Sequence, residues 1–292
     1  MPQLIEWLTP WEFSPTVLIC TLLAGSLYAR GARRCAAHGA PVPIWRSVCF
    51  FIGLALIYLV LQSYFDYLSQ HMFWVHRLQH LVLHHLGPFL MIVALRPDLV
   101  RRALPSWVHR RVVGPAVRDP FLYGSYRFIQ HPLVASLLFV GLIYFWLTPS
   151  IHFAAMLSTP RYLAMNWSMV IDGLLFWWVV LDPRPPAAHG TAGYGTRTVM
   201  LWAVIPPQII LGAHIGLSET SLFSVYNVCG RAWPISPIVD QQIGGLITWI
   251  PASMMSIVAA LIVIRLWMHA PNATPGAARR TRGTIAKEPL PE

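Results

Sequence analysis

Charged residues are scarce in this chain of 292 residues, because Asp, Glu, Lys and Arg together make up 11% of it, against about 25% in soluble domains. This deficit excludes an ordinary soluble globular protein. Lysine is almost absent, since Lys287 is the only one among 21 basic residues. The net charge of +10 does not indicate a nucleic-acid partner, because the basic residues sit at the ends of apolar runs and form no groove interleaved with aromatics.

The sequence also lacks the motifs of common hydrolases and nucleotide-binding proteins. It has no H-E-x-x-H, no glycine-rich phosphate loop and no G-x-S-x-G turn. Its four cysteines fall at different depths of the predicted topology, so we expect no structural disulfide. Nothing in these motifs predicts an enzyme, and we expect a protein without catalytic turnover.

Long apolar runs dominate the chain instead. A bilayer core requires about 20 mostly apolar residues per helix, and the runs predict an all-α integral membrane protein with about seven transmembrane helices. The spans are predicted near residues 15–29, 45–66, 70–95, 132–148, 162–181, 198–217 and 242–267. Residues 1–269 would form one domain in the lipid bilayer, followed at 270–292 by a disordered cytoplasmic tail with too little apolar surface to fold.

The distribution of arginine and lysine predicts the orientation. The loops and tail on one side hold 18 basic residues, whereas the other side holds Arg161 and Arg231. Because basic residues accumulate in cytoplasmic loops, the N-terminus should face outside and the C-terminus the cytoplasm, as a multi-pass protein of a bacterial inner membrane. Near 98–118, apolar residues recur at helical spacing opposite arginines, which predicts a helix lying on the cytoplasmic surface.

Histidines are concentrated in the third predicted span, which holds five of the twelve. At about 100° per residue, His76, His80 and His84 form one stripe along the helix. Intramembrane ionisable groups are costly and typically mark a site, and neutral imidazole binds copper, zinc or iron. We therefore expect a metal site on this stripe, with His71 at its outer mouth and His214, near the outer end of the sixth span, as further ligands.

Other polar residues are expected to support this site. Arg77 and Asp172 lie at depths that differ by about 5 Å when counted from the outer ends of their helices, so an ion pair between the third and fifth spans is possible. Such a pair would serve either as structural glue or to position the histidine stripe. The remaining supporting candidates are Gln79, Asp240, Gln241 and Gln242.

Two blocks of sequence carry a resemblance, namely His76-Arg-Leu-Gln79-His80 with Pro88 eight residues later, and Asp240-Gln241-Gln242. In order and spacing they are similar to the polytopic CtaG family of cytochrome c oxidase assembly factors, over about residues 60–267. The resemblance implies a role in building a haem-copper oxidase by handling copper. Its partners would be the oxidase subunits and periplasmic copper chaperones. Methionine thioethers near the histidines would favour Cu(I) over hard cations.

The chain departs from the family pattern at two places. The family often has two histidines where this chain has Tyr162 and Asn166, and apolar residues or methionine where it has His84 and His85. If the family's histidines are ligands, the site in this chain has been rebuilt around His84 or lost.

Three other functions fit part of the sequence. A copper importer would use the same histidines. A haem b electron carrier would need axial histidines on two helices, which His76 and His214 could supply. An intramembrane metallohydrolase with a histidine-rich core would need a further H-x-x-x-H late in the chain, where only His214 and His269 follow His189.

Reporter fusions test the predicted orientation. A fusion at residue 225 should report the outer compartment and one at residue 110 the cytoplasm, because loops rich in arginine stay on the cytoplasmic side. Paired enzymatic reporters, each active in only one compartment, provide the measurement. The reverse pattern would overturn the orientation.

Overall fold

The computed structural model describes residues 12–184 and 191–270. Every regular element in these two ranges is helical, which confirms the all-α class. The elements in chain order are α1 Pro15–Ala37, α2 Ile44–Gln62, α3 Tyr64–His71, α4 Phe73–His80, π1 Leu81–Leu86, α5 Gly87–Ala94, α6 Pro97–Ala103, α7 Ser106–Val108, π2 His109–Val113, α8 Gly114–Arg118, α9 Pro120–Ile129, α10 Pro132–Leu147, α11 Pro149–Met156, α12 Thr159–Leu181, α13 Tyr194–Leu217, α14 Val225–Cys229 and α15 Pro237–Met268. Apart from Ala270, the tail predicted at 270–292 lies outside the described residues.

Several helices are compatible with a multi-pass membrane protein. Within the described ranges, four of them, α2, α12, α13 and α15, are long and apolar enough to cross a bilayer. The count rises to as many as six if each of two bent pairs is one span: Phe73–Ala94 with α6, and α9 with α10. Helix α1 is 23 residues long but carries arginines in its last two turns. The count of seven stays a prediction.

The segment predicted as one surface helix near 98–118 consists of two helical stretches. Helix α6 turns by 90° from the axis of Phe73–Ala94. It ends before Pro105, which has no N–H to continue the helix. The second stretch, residues 106–118, runs on as α7, π2 and α8. Its position relative to a membrane stays a prediction.

The third predicted span corresponds to α4, π1 and α5, which follow one another without a break. The first backbone N–H groups of a helix have no partner inside it. In α4 the N–H groups of Phe73 and Trp74 donate to the two carboxylate oxygens of Asp240, at 3.1 and 2.8 Å. Asp240 lies in the first turn of α15. The start of the histidine-bearing helix is therefore fixed by a distant helix.

The π-helical segment has a local cause in the sequence. Pro88 has no N–H to donate to the carbonyl of His84, and Trp177 Nε1 donates to that carbonyl instead, at 3.3 Å. The N–H of Gly87 bonds the carbonyl of Val82, five residues back, which is the π-helical pattern. The wider turn holds His84 and His85, and π-helical turns are frequent at functional sites.

Small residues let α13 and α15 pack along their length. A side chain added at Gly245 would place its Cβ 2.6 Å from the backbone nitrogen of Gly216. Such close approach of small residues is typical of helix pairs in membranes. Hereafter the end of the bundle at which α4, α12 and α15 begin is called the outer end, after the predicted orientation, and the opposite end the inner end.

Gly173 on α12 provides a test of this packing. In Gly173→Ala the new Cβ would lie 2.9 Å from Pro88 Cγ and 3.0 Å from the carbonyl carbon of His84. Because the carbonyl is backbone, α12 would have to shift, and we expect a loss of about 1–3 kcal/mol of stability. Thermal unfolding of the detergent-solubilised protein measures it. The matched control is Gly141→Ala on α10, where a Cβ would meet nothing within 4 Å. Equal thermal stability of the two variants would contradict this close packing of α12 against π1 and α5.

Candidate functional site

The buried histidines form two groups. The outer histidine group consists of His76 and His80 on α4 and His152 on α11, with ring centroids 4.3 Å apart for His76 and His80 and 5.0 Å apart for His76 and His152. The inner histidine group consists of His84 and His85 on π1, with ring centroids 4.9 Å apart. Within the described residues no ring contact joins the two groups, so the predicted stripe is divided after His80.

Most nitrogens of the outer histidine group already have partners. Arg77 Nη1 lies 3.5 Å from His80 Nδ1. Since a guanidinium can only donate, Nδ1 carries the lone pair, and Nε2–H donates to Asn166 Oδ1 at 3.2 Å. His152 Nδ1–H donates to a backbone carbonyl at 3.1 Å, and its Nε2 accepts from the hydroxyl of Tyr226 at 3.0 Å.

His76 differs from its two neighbours. Its side chain is fully buried, and neither ring nitrogen has a hydrogen-bond partner in the part of the chain that the structure describes. Across the same residues, no group of three or more His, Cys, Asp or Glu side chains is arranged to hold a metal ion. In the outer group, coordination by His76 and His80 therefore requires Arg77 to release His80 Nδ1, because Nε2 carries the proton.

The predicted ion pair of Arg77 with Asp172 is wrong. Asp172 Oδ2 instead accepts from His84 Nε2 at 2.9 Å, and Arg77 Nε donates to Thr248 Oγ1 on α15 at 3.0 Å. Depth along a helix does not fix the direction of a side chain around its helix, and Asp172 lies level with His84, seven residues after Arg77. Arg77 points towards α15, whereas Asp172 points towards π1.

Two further predicted ligands lie apart from the histidine groups. His71 ends α3, before the chain turns at Met72, and its Nδ1 bonds the carbonyl of Tyr67 at 2.8 Å. His214 is exposed and lines a shallow groove at the outer end of α13 together with Leu217. The structure thus does not bring His76 and His214 together as an axial pair for haem.

Gln79 belongs to a buried network next to the outer histidine group. Its Nε2 donates to the carbonyl of Val60 at 2.7 Å and to Asp66 Oδ1 at 2.8 Å. The hydroxyl of Tyr162 donates to the same carboxylate oxygen at 2.7 Å. Three helices, α2, α3 and α12, are thereby connected to α4.

Two of the three supporting candidates on α15, Asp240 and Gln241, form hydrogen bonds with backbone groups of other segments. Besides capping α4, Asp240 forms an ion pair with Arg231. Gln241 accepts the N–H of Leu222 at 2.7 Å and donates to two carbonyls, so it fixes the loop that follows α13. The side chain of Gln242 is exposed.

A cavity of about 490 Å³ opens at the outer end of the bundle, and Asp66, Met156, Tyr162 and Asn166 are among its lining residues. Two of these separate it from the outer histidine group. Asn166 bonds His80, and the ring of Tyr162 lies 6.3 Å from that of His76. A ligand in this cavity would reach the histidines by displacing these two side chains.

Residues 26–270 match the cytochrome c oxidase caa3 assembly factor family, Caa3_CtaG. The chain belongs to this family. Uncharacterized proteins of Mycobacterium bovis and Mycobacterium tuberculosis are each 25% identical to it over 278 residues, which are 91% of this chain and 40% of theirs. The chain thus spans less than half the length of these relatives. No solved structure matches it.

In this member of the caa3 assembly factor family, sequence reasoning left out several residues that lie in or beside the two groups. His152 was visible as a histidine at the outer face, and Asp66 as an acidic residue at the end of a predicted span. His85 was visible as one of the five histidines of the third predicted span. Gln208 had no signal of its own, because its proximity to His85 depends on how the helices pack.

The pairing of Asp172 with His84 is testable by a double-mutant cycle. Combining Asp172→Asn with His84→Asn should change stability non-additively, by at least about 0.5 kcal/mol, because the two side chains share a hydrogen bond. Combining Asp172→Asn with Arg77→Gln should be additive. Thermal unfolding in detergent measures both cycles. Coupling to Arg77 but not to His84 would refute the arrangement.

Proposed function

We propose that this protein serves the assembly of a haem-copper cytochrome c oxidase by binding copper, as Cu(I), in the interior of its bundle and delivering it to oxidase subunits. Its family membership supports the process. The observation that carries copper as the cargo is the buried imidazole pair of His76 and His80, 4.3 Å apart, since neutral imidazoles are good ligands for copper. The role involves no turnover.

The cavity at the outer end supplies a route for the metal. A periplasmic copper chaperone would dock there, and the thioether of Met156 and the carboxylate of Asp66 would receive the ion. From there, movement of Asn166 away from His80 opens the way to His76, and movement of Arg77 away from His80 frees the lone pair of Nδ1. His71 and His214, at the outer ends of their helices, provide weaker contacts for the ion or its donor.

The positive charge of Arg77 favours release of an ion from the outer pair, His76 and His80, as a delivery role requires. Its guanidinium lies beside His80, and like charges repel strongly where water is excluded. A positive ion at His76 and His80 is therefore held less tightly than the ligands alone would hold it. His84, farther along the same helix, is the further ligand to which the ion can pass.

The double variant His76→Ala, His80→Ala tests this function. It should bind about one copper ion fewer per chain, because two neutral imidazole ligands are lost. Cells whose only copy is this variant should have cytochrome c oxidase that is copper-deficient or absent. Copper content of the anaerobically purified protein and oxidase activity in membranes are the measurements.

The control is His269→Ala, which removes an exposed histidine at the end of α15. Immunoblots of the membrane fraction establish that all variants are inserted at equal levels. If the double variant kept both its full copper content and normal oxidase activity, the histidines would be packing residues and the proposed function would be refuted.

A further inference from the structure

A second cluster of buried polar side chains lies towards the inner end of the bundle. It consists of His84 and His85 on π1, Asp172 on α12 and Gln208 on α13. Their exposed fractions are 0% for His84, 4% for His85, 8% for Asp172 and 1% for Gln208. Phe139 closes one side, with its ring stacked on His84 at a centroid distance of 4.1 Å.

Several buried atoms of this cluster have no hydrogen-bond partner among the described residues. His84 donates its Nε2–H to Asp172, so its Nδ1 keeps a lone pair. The side chain of Gln208 lies close to the ring of His85. The distance and angles between them do not meet the criteria for a hydrogen bond. Counting only protein partners within the described ranges, five buried atoms have none: His84 Nδ1, both ring nitrogens of His85, and both amide atoms of Gln208. Five such atoms in one place are unusual, because buried polar groups are normally paired.

The arrangement of His84 matches that of metal-binding histidines. Such histidines almost always donate their second N–H to a carboxylate or carbonyl, which fixes the tautomer and makes the ligating nitrogen more basic. Asp172 provides this carboxylate. With metal–nitrogen bonds of about 2.0 Å, two imidazoles on one ion at a bent angle have ring centroids about 5 Å apart. The rings of His84 and His85 lie 4.9 Å apart.

The sign of the neighbouring charge differs between this cluster and the outer histidine group. There the charge in direct contact with a histidine ring is the guanidinium of Arg77, which has no carboxylate partner among the described residues. Here it is the carboxylate of Asp172. In an interior that excludes water, a nearby negative charge stabilises a bound cation and a nearby positive charge opposes it.

We infer that His84 Nδ1, a ring nitrogen of His85 and Gln208 Oε1 form a second metal site, which binds a soft or borderline ion more tightly than the outer pair does. Two imidazoles suit Cu(I) or Zn²⁺. The choice of Cu(I) rests on the proposed function, whereas the site itself rests on the free lone pairs. Asp172 is a positioning residue, which holds the tautomer of His84 and balances the charge.

His85→Leu tests the site directly. The full-length protein in detergent is titrated anaerobically with Cu(I) in competition with a chromophoric Cu(I) chelator. The wild type should bind two ions in two affinity steps, and His85→Leu should lose the tighter step. His76→Ala, His80→Ala should lose only the weaker one. The matched control His269→Leu should titrate like the wild type.

Two further variants separate a ligand site from a structural role. Gln208→Leu removes buried polar atoms that lack protein partners among the described residues, so it should raise the thermal midpoint of the metal-free protein while lowering Cu(I) affinity. Asp172→Asn should weaken the tighter step about 10–100-fold, as expected when the carboxylate partner of a ligating histidine is lost. If His85→Leu does not fold, Gln208→Leu provides the same comparison.

The outcomes distinguish this site from the proposed function. If His85→Leu and Gln208→Leu bind Cu(I) like the wild type, the inner site is refuted, whatever the outer pair does. If His85→Leu alone loses copper and the His76→Ala, His80→Ala protein loses none, the inner site stands and the outer pair is refuted. If neither His85→Leu nor the His76→Ala, His80→Ala variant changes copper binding, both the inner site and the outer pair are refuted.

Discussion

The positions of the histidines on α4 and π1 depend on the hydrogen bonds that the carboxylate of Asp240 accepts. This carboxylate accepts the first two N–H groups of α4 and pairs with Arg231. Asp240 and Phe73 are almost fully buried, and N–H groups at a buried helix start need an acceptor within the protein. By holding Phe73 and Trp74 against α15, Asp240 sets the depth at which every later residue of α4 and π1 lies. A residue outside both proposed metal sites thus determines where the histidines of α4 and π1 lie.

The two groups present opposite charges to an incoming ion along one helix. Arg77 lies beside the outer group and Asp172 beside the inner one. If both groups bind metal as proposed, a cation entering from the outer end would meet a site that disfavours it before one that favours it. Such a difference would draw the ion inward, away from the compartment that supplied it. Delivery to a partner would then require either contact at the inner end or a change in the protein that raises the energy of the inner site.

The sequence predicted the helical class and the family, because long apolar runs and the Gln79-His80 and Asp240-Gln241 blocks are local features. It also predicted that His76, His80 and His84 are buried together in one span. It did not predict that Arg77 and Asp172 face different helices, since periodicity gives depth but not the rotation of one helix against another. Gln208 lay beyond reach for the same reason. Its contact with His85 depends on the packing of α13, which contains Pro206 and Pro207.

The π-helical segment can also be understood as a matter of chain length. A turn of this kind holds one residue more than an α-turn, and one residue corresponds to about 100° of rotation. Removal of a single residue from 81–86 would therefore turn α5 by about that angle relative to α4. The faces that α5 presents to α2 and α12 would change with it. The extra residue of the π-helical turn thus sets the rotation of the inner part of the span relative to the outer histidine group.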